Sequence, residues 1–141
     1  MPRADFYLID KPRFREQPLL LVCELAKRGY AANLSILVLA RDTAQAEAID
    51  DLMWSFDPDE YLPHQIAELD EGDDDTPILI ATPEMDLPAR ALLINLRDAA
   101  PTGSFERVLE VVPADPSARG PLRERWKHYQ ALGFEVNKHD M

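Results

Sequence analysis

Short apolar runs recur along this chain with helix-like segments between them, and that alternation constrains the fold more than any other feature. Ser35–Ala40, Pro77–Thr82, Ala91–Leu96 and Arg107–Val112 are near-continuously apolar. Such runs mark parallel strands covered on both faces, since a half-solvated strand would alternate apolar with polar residues. Asp5–Ile9 reads as a first, short strand and Phe134–Lys138 as a last, edge strand. Helices fall between them. Pro18–Arg28 has Gly29 as its stop, and Asp42 caps a helix running to about Trp54, with Gln45 completing a capping box. Pro121–Gly133 is an amphipathic helix closed by a glycine. Ser55–Asp75 reads as a loop, with a short strand near Tyr61–Ile66. The pattern predicts an α/β fold: an open, mostly parallel sheet with helices on both faces, a Rossmann-like three-layer sandwich joined by right-handed crossovers. No repeat or interdomain linker interrupts it, so residues 1–141 are expected to form one domain.

A chain of 141 residues buries about two-thirds of its unfolded surface on folding. No apolar run reaches the roughly 18 residues a membrane helix needs, and the N-terminal residues lack the basic-then-apolar layout of a signal peptide. The single Cys23 sits in an apolar stretch and reads as a buried structural thiol. Together these predict a cytoplasmic protein.

The net charge is −11, and it is unevenly spread. Asp57–Asp75 holds nine acidic residues and no Lys or Arg, whereas Arg119–Lys138 holds five basic residues against Glu124 and Glu135. Duplex DNA repels so acidic a protein unless a large basic surface offsets the field, so direct DNA binding is not expected. A negative peptide docking on the small basic patch is compatible with the charge.

Enzymatic signatures are absent from the sequence. The first strand is followed by Asp10-Lys-Pro-Arg-Phe-Arg15, which contains no glycine, and neither phosphate-loop nor dinucleotide fingerprint occurs anywhere. The expected sandwich therefore lacks a phosphate-binding loop. His64, His128 and His139 show no metal-ligand spacing, and Cys23 has no neighbouring partner for zinc. Asp73–Asp75 lacks the alternating ligands of a calcium loop and reads as a solvated acidic segment. No nucleophile elbow is present, and His64 reads as a hydrogen-bonded structural histidine. No metal, cofactor or catalytic residue is assigned. The competing reading is a small α/β nucleotide- or phosphate-binding enzyme that uses the basic C-terminal helix.

Two surfaces carry binding potential. On the last helix, Leu122, Trp126 and Tyr129 share one side, with Leu132 and the stem of Arg125 at its edge. Arg123, Lys127 and Gln130 form the neighbouring stripe, and Trp126 lies on the seam. A ring flanked by two cations suits a small anion bearing an apolar group, such as a carboxylate-bearing peptide; the same pattern also describes a core tryptophan under a solvated face. The second surface packs Met53, Trp54, Phe56 and Tyr61 into a helix end and a proline-bearing loop. Aromatics and Met are enriched at interface cores, but Trp54 and Phe56 equally suit a seal between helix and sheet.

Phe6-Tyr-Leu8, Cys23-Glu-Leu25, Asp50-Asp-Leu-Met-Trp54, Tyr61-Leu-Pro-His64, Ile94-Asn-Leu96, Glu110-Val-Val112 and the Arg123…Lys127-x-Tyr129…Gly133-Phe134 helix occur in this order. The ordered set resembles the chi subunit family of bacterial DNA polymerase III holoenzyme, from about Phe6 to Phe134. The resemblance implies a non-catalytic accessory subunit that bridges the clamp-loader complex, through the psi subunit, to the acidic C-terminal tail of single-stranded DNA-binding protein. That tail ends in aspartate, proline and a terminal phenylalanine, whose carboxylate needs a cation and whose ring needs an apolar pocket. Carried over by motif, the tail site falls on Arg123, Trp126 and Lys127, with Val112 and Pro113 as pocket wall. Trp126 stands where tyrosine is common, which keeps a ring and removes a hydroxyl. The psi-facing surface maps onto Trp54 and Tyr61, with Phe56 and Pro63 adjacent. A helicase-related protein is a further partner implied for the family surface.

Overall fold

The structure, a computed structural model, describes residues 2–57, 59, 61–67, 76–85 and 87–141. The acidic stretch Glu68–Asp75, expected as a loop, lies outside the described residues.

The apolar runs become strands of one sheet: β1 (Arg3–Leu8), β2 (Ile36–Leu39), β3 (His64–Ile66), β4 (Ile78–Ala81), β5 (Leu92–Asn95), β6 (Arg107–Val112) and β7 (Glu135–Asp140). Their order is β3-β4-β2-β5-β6-β1-β7, and every pairing is parallel. β2, β4 and β5 are buried at every position, as double-sided cover requires. β7, exposed at three of its six positions, closes one edge beside β1, as expected. The short β3 closes the other.

Side chains alternate across the sheet. Ile36, Val38, Ile78, Ile80, Leu92 and Ile94 face α2 (Pro18–Ala31) and α3 (Thr43–Phe56), whose Leu21, Val22, Ala26 and Ile49 complete the first apolar cluster. Leu37, Leu39, Leu79 and Leu93 face the other way, in a second cluster with Phe6, Val108 and Tyr129 of α4 (Arg119–Ala131). Helices thus cover both faces, with one difference from the expected sandwich. Among the described residues, the β4–β5 and β5–β6 connections form no helix, and Met85, Leu87, Ala100 and Phe105 from these loops pack against the second cluster instead.

Local signals behaved unevenly. The Asp42 carboxylate accepts from the Gln45 N–H at 2.7 Å, as the capping pattern requires. The return bond differs by one position: Gln45 Oε1 accepts from the Arg41 N–H, one residue before the cap. Gly29 does not stop α2. The helix runs on to Ala31, and Asn33, with φ of 62°, makes the left-handed exit. Its N–H and that of Leu34 donate to the Tyr30 and Gly29 carbonyls, the paired closure of a Schellman motif. Gly29 is instead a packing residue: a β-carbon there would stand 2.8 Å from Ile36 Cδ1 and 2.9 Å from Leu92 Cδ2. One helix was not expected at all. α1 (Pro12–Glu16), opened by Pro12, tucks Phe14 into the first cluster. Cys23 is buried as expected, and burial pushes its thiol pKa up to about 12.

Candidate functional site

α4 begins after a short 3-10 turn (Pro116–Ala118) and ends in a second Schellman closure. Gly133, with φ of 83°, donates to the Gln130 carbonyl, and Phe134 donates to that of Tyr129. The accompanying apolar contact is present, with the Tyr129 and Phe134 rings 5.3 Å apart. Tyr129 is wholly buried, and Leu122 and Trp126 are partly buried against the second cluster. The Trp126 ring lies 5.1 Å from that of Phe6 in β1. Leu132, at the helix end, is 56% exposed and does not join this side.

Arg125 separates from the other cations. It is buried, and its Nε stands 3.1 Å from Glu110 Oε1, a charge contact rather than an aligned hydrogen bond. Its Nη1 donates to the Asp98 carbonyl at 2.7 Å, which ties the β5–β6 loop to α4. Glu110 is fully buried in β6, where it also accepts from the Tyr129 hydroxyl at 2.5 Å and from the Asn95 amide at 3.0 Å. Burial raises the Glu110 pKa, against the pull of Arg125, Tyr129 and Asn95 toward the charged form. Tyr129 is pushed up as well, by burial and then by Glu110. This network was missed in the sequence. Its one signal there is a carboxylate at an inward position of an apolar strand, which cannot survive without partners.

Arg123 and Lys127 are exposed, on the flank of α4 next to Trp126. Neither makes an ion pair with any described residue. Val112 ends β6 with its side chain in the second cluster, the cluster on which Trp126 packs, and Pro113 is exposed just beyond it. The five expected tail-site residues therefore divide into two solvated cations, a half-buried ring, a buried valine and an exposed proline.

The aromatic surface resolves in both directions. Trp54 and Tyr61 are each 59% exposed, with rings 5.4 Å apart. Phe56 turns inward onto the first cluster, and Pro63 is half-buried. His64 lies beneath the pair, 4.9 Å from the Trp54 ring in an edge-on contact. It is a structural histidine: its Nδ1 is 2.6 Å from the Leu62 carbonyl and its Nε2 is 3.2 Å from Asp50. The patch borders the edge strand β3.

The position where a phosphate loop would stand is occupied. The Asp10 and Lys11 N–H groups both donate to the carbonyl of Met141. At the carboxyl ends of β2 and β4, Arg97 donates to the carbonyls of Ala40 and Ala81 at 2.8 and 3.3 Å. A cavity of about 1020 Å³ lies along the opposite flank of α4 from Arg123 and Lys127. Phe105, Phe134 and Leu132 line it, and Asp98, Glu106 and Glu124 add carboxylates. None of the expected site residues does. Among the described residues, no cluster of three His, Cys, Asp or Glu side chains stands where it would hold a metal, and no helix is long and apolar enough to cross a membrane.

Residues 1–137 match the family model described as DNA polymerase III chi subunit, HolC. Among curated relatives, the DNA polymerase III subunit chi of Pseudomonas aeruginosa is 32% identical over 143 residues, spanning 99% of this chain and 96% of the relative. Its namesake in Escherichia coli K12 is 31% identical over 147 residues, with 97% of each chain covered. That of Haemophilus influenzae is 31% identical over 120 residues and covers 83% of each. On this match over nearly the whole chain, the protein belongs to the DNA polymerase III chi subunit family.

Proposed function

We propose that this chain is a non-catalytic, cytoplasmic, single-domain adaptor that links the clamp-loader complex to the C-terminal tail of single-stranded DNA-binding protein. The observation that carries the tail site is the pair of solvated cations on α4, Arg123 and Lys127, which have no ion-pair partner among the described residues and flank the half-buried Trp126. On a chain of net charge −11, unpaired cations beside a half-buried ring favour a negatively charged partner with an aromatic end. In this reading Arg123 and Lys127 hold the terminal carboxylate, while Trp126, Val112 and Pro113 form the wall against the terminal phenylalanine. The larger cavity on the other flank suits an acidic tail poorly, because Asp98, Glu106 and Glu124 line it.

The psi subunit docks on Trp54 and Tyr61, with Phe56 and Pro63 supporting them from the core side. Two paired aromatics, each more than half exposed, are the kind of anchor that dominates protein–protein affinity. The two surfaces lie near opposite edges of the sheet. β3 and β1 are five strand spacings apart, and at about 4.8 Å each that is roughly 24 Å, so both partners fit at once. A tail contact this small is weak alone and gains from attachment at the second surface. The enzyme reading loses ground because the Asp10 and Lys11 N–H groups that would cradle a phosphate already serve Met141.

Calorimetric titration with a peptide ending Asp-Ile-Pro-Phe tests the tail site. Binding on the order of micromolar is expected at low salt, lost when the terminal phenylalanine is removed and in Arg123→Ala or Lys127→Ala. Equal affinity for the full and shortened peptides overturns the proposal.

A further inference from the structure

A cavity of about 230 Å³ lies on the opposite face of the sheet from α4, between the last turns of α2 and strands β1, β5 and β6. Leu25, Leu92 and Leu109 supply apolar walls, while Tyr7, Arg28 and Arg107 supply the polar ones. Neither guanidinium makes an ion pair with any described residue. The Arg107 Nε is buried and has no hydrogen-bond partner, a costly state for a charged group. Both arginines act on the Tyr7 hydroxyl: burial and then Asp5 raise its pKa, and Arg107, Arg28 and Arg3 oppose them. All three polar residues line the same cavity.

The carboxylate that acts on Tyr7, Asp5, does not neutralise these cations. Asp5 is fully buried and already engaged, with Arg3 Nε at 2.8 Å and His139 Nε2 at 2.9 Å. Arg28 gains something from the α2 carbonyl end, since it sits in the last turn. Arg107, at the first position of β6, has no such partner. Two unpaired guanidiniums beside leucine walls, on a chain of net charge −11, call for an anion with an apolar part. The volume is below that of a drug-sized site, so the ligand is small or is the end of a larger one.

We propose that the pocket between α2 and strands β1, β5 and β6 is a second anion site, which takes a single carboxylate carried on an apolar body. Arg107 and Arg28 bind the carboxylate, Tyr7 donates to it, and the leucines receive the apolar part. The site is independent of the tail reading, being built from other residues on the other face.

The test is an amide-resolved NMR titration of the whole chain with phenylacetate, its neutral isostere phenylacetamide, and inorganic phosphate. Phenylacetate is expected to shift the Gly29, Ala32 and Leu34 amides saturably while the α4 amides around Arg123 stay in place. Loss of the charge in phenylacetamide, or of a cation in Arg107→Gln or Arg28→Gln, should each weaken binding about tenfold. Arg28 is an exposed residue near a helix end, so its variant carries the test even if Arg107→Gln fails to fold. Absence of a saturable shift at these amides, equal response to acid and amide, or unchanged affinity in both variants overturns the proposal. Phosphate binding more tightly than phenylacetate overturns the apolar body.

Discussion

Where α2 crosses β2 and β5 the sheet meets close-packed apolar side chains, so tightly set that Gly29 leaves no room for a β-carbon between Ile36 and Leu92. Under α4 the same sheet meets Phe6 and Val108, but also Glu110 and Asn95, bonded to a buried arginine and a buried tyrosine from the helix. The first face is held by shape. The second is held by a charge pair that fixes which way α4 is turned, and with it the direction in which Arg123, Trp126 and Lys127 are presented. A helix on an apolar stripe alone can slide or rotate at modest cost; one pinned through Arg125 to both Glu110 and the Asp98 carbonyl cannot.

The contrast breaks most clearly at Glu110. Glu110→Ala leaves Arg125 buried without its anion and should cost about 3–5 kcal/mol, measured by urea unfolding. Replacing both members, Glu110→Leu with Arg125→Met, should recover part of that loss, since an apolar pair of similar volume removes the uncompensated charge. A single-variant loss below about 1 kcal/mol would mean the network adds little to the hold on α4.

On the other face the sensitive point is volume. Gly29→Val should cost about 1–3 kcal/mol, because Ile36 and Leu92 must move aside to admit the side chain. Ile36→Val in the same background should return part of it. No such rescue would place the cost in the backbone of α2 rather than in the packing.

The smallest expected effect lies at the margin, where β1 meets β7. Burial alone would raise the Asp5 pKa, but hydrogen bonds from Arg3 and His139 outweigh it and hold the carboxyl below its ordinary 3.8. The folded state therefore binds the proton less readily than the unfolded chain. Its contribution is present above the ordinary pKa and is lost as pH falls through the lowered one. Urea midpoints measured from about pH 5 down to pH 3 should fall less steeply in Asp5→Asn than in the parent chain. Parallel slopes would sink this assignment.

Much of the architecture was legible from residue order. The runs Ile36–Leu39, Ile78–Ala81, Leu92–Asn95 and Arg107–Val112 are strands because continuous apolar segments need cover on both sides. The Asp42 cap, the Gly133 closure and the exposed Arg123–Lys127 stripe were equally plain, since each depends on neighbours within a few residues. Where two local readings competed, only packing chose: Gly29 lies inside its helix and Asn33 turns the chain, because Ile36 and Leu92 demand the missing β-carbon more than the helix end demands a glycine.

What the sequence by itself determined is the set of strands and helices, the acidic balance and the family. The tertiary structure alone decided which polar residues are partners. Glu110 and Arg125 are fifteen positions apart in sequence and in contact in space; Asp5 and His139 come from opposite ends of the chain, joined because β7 pairs beside β1. Periodicity assigns a side chain to a face, but a buried charge is tolerated only against a particular partner, and strand order in the sheet is what supplies it.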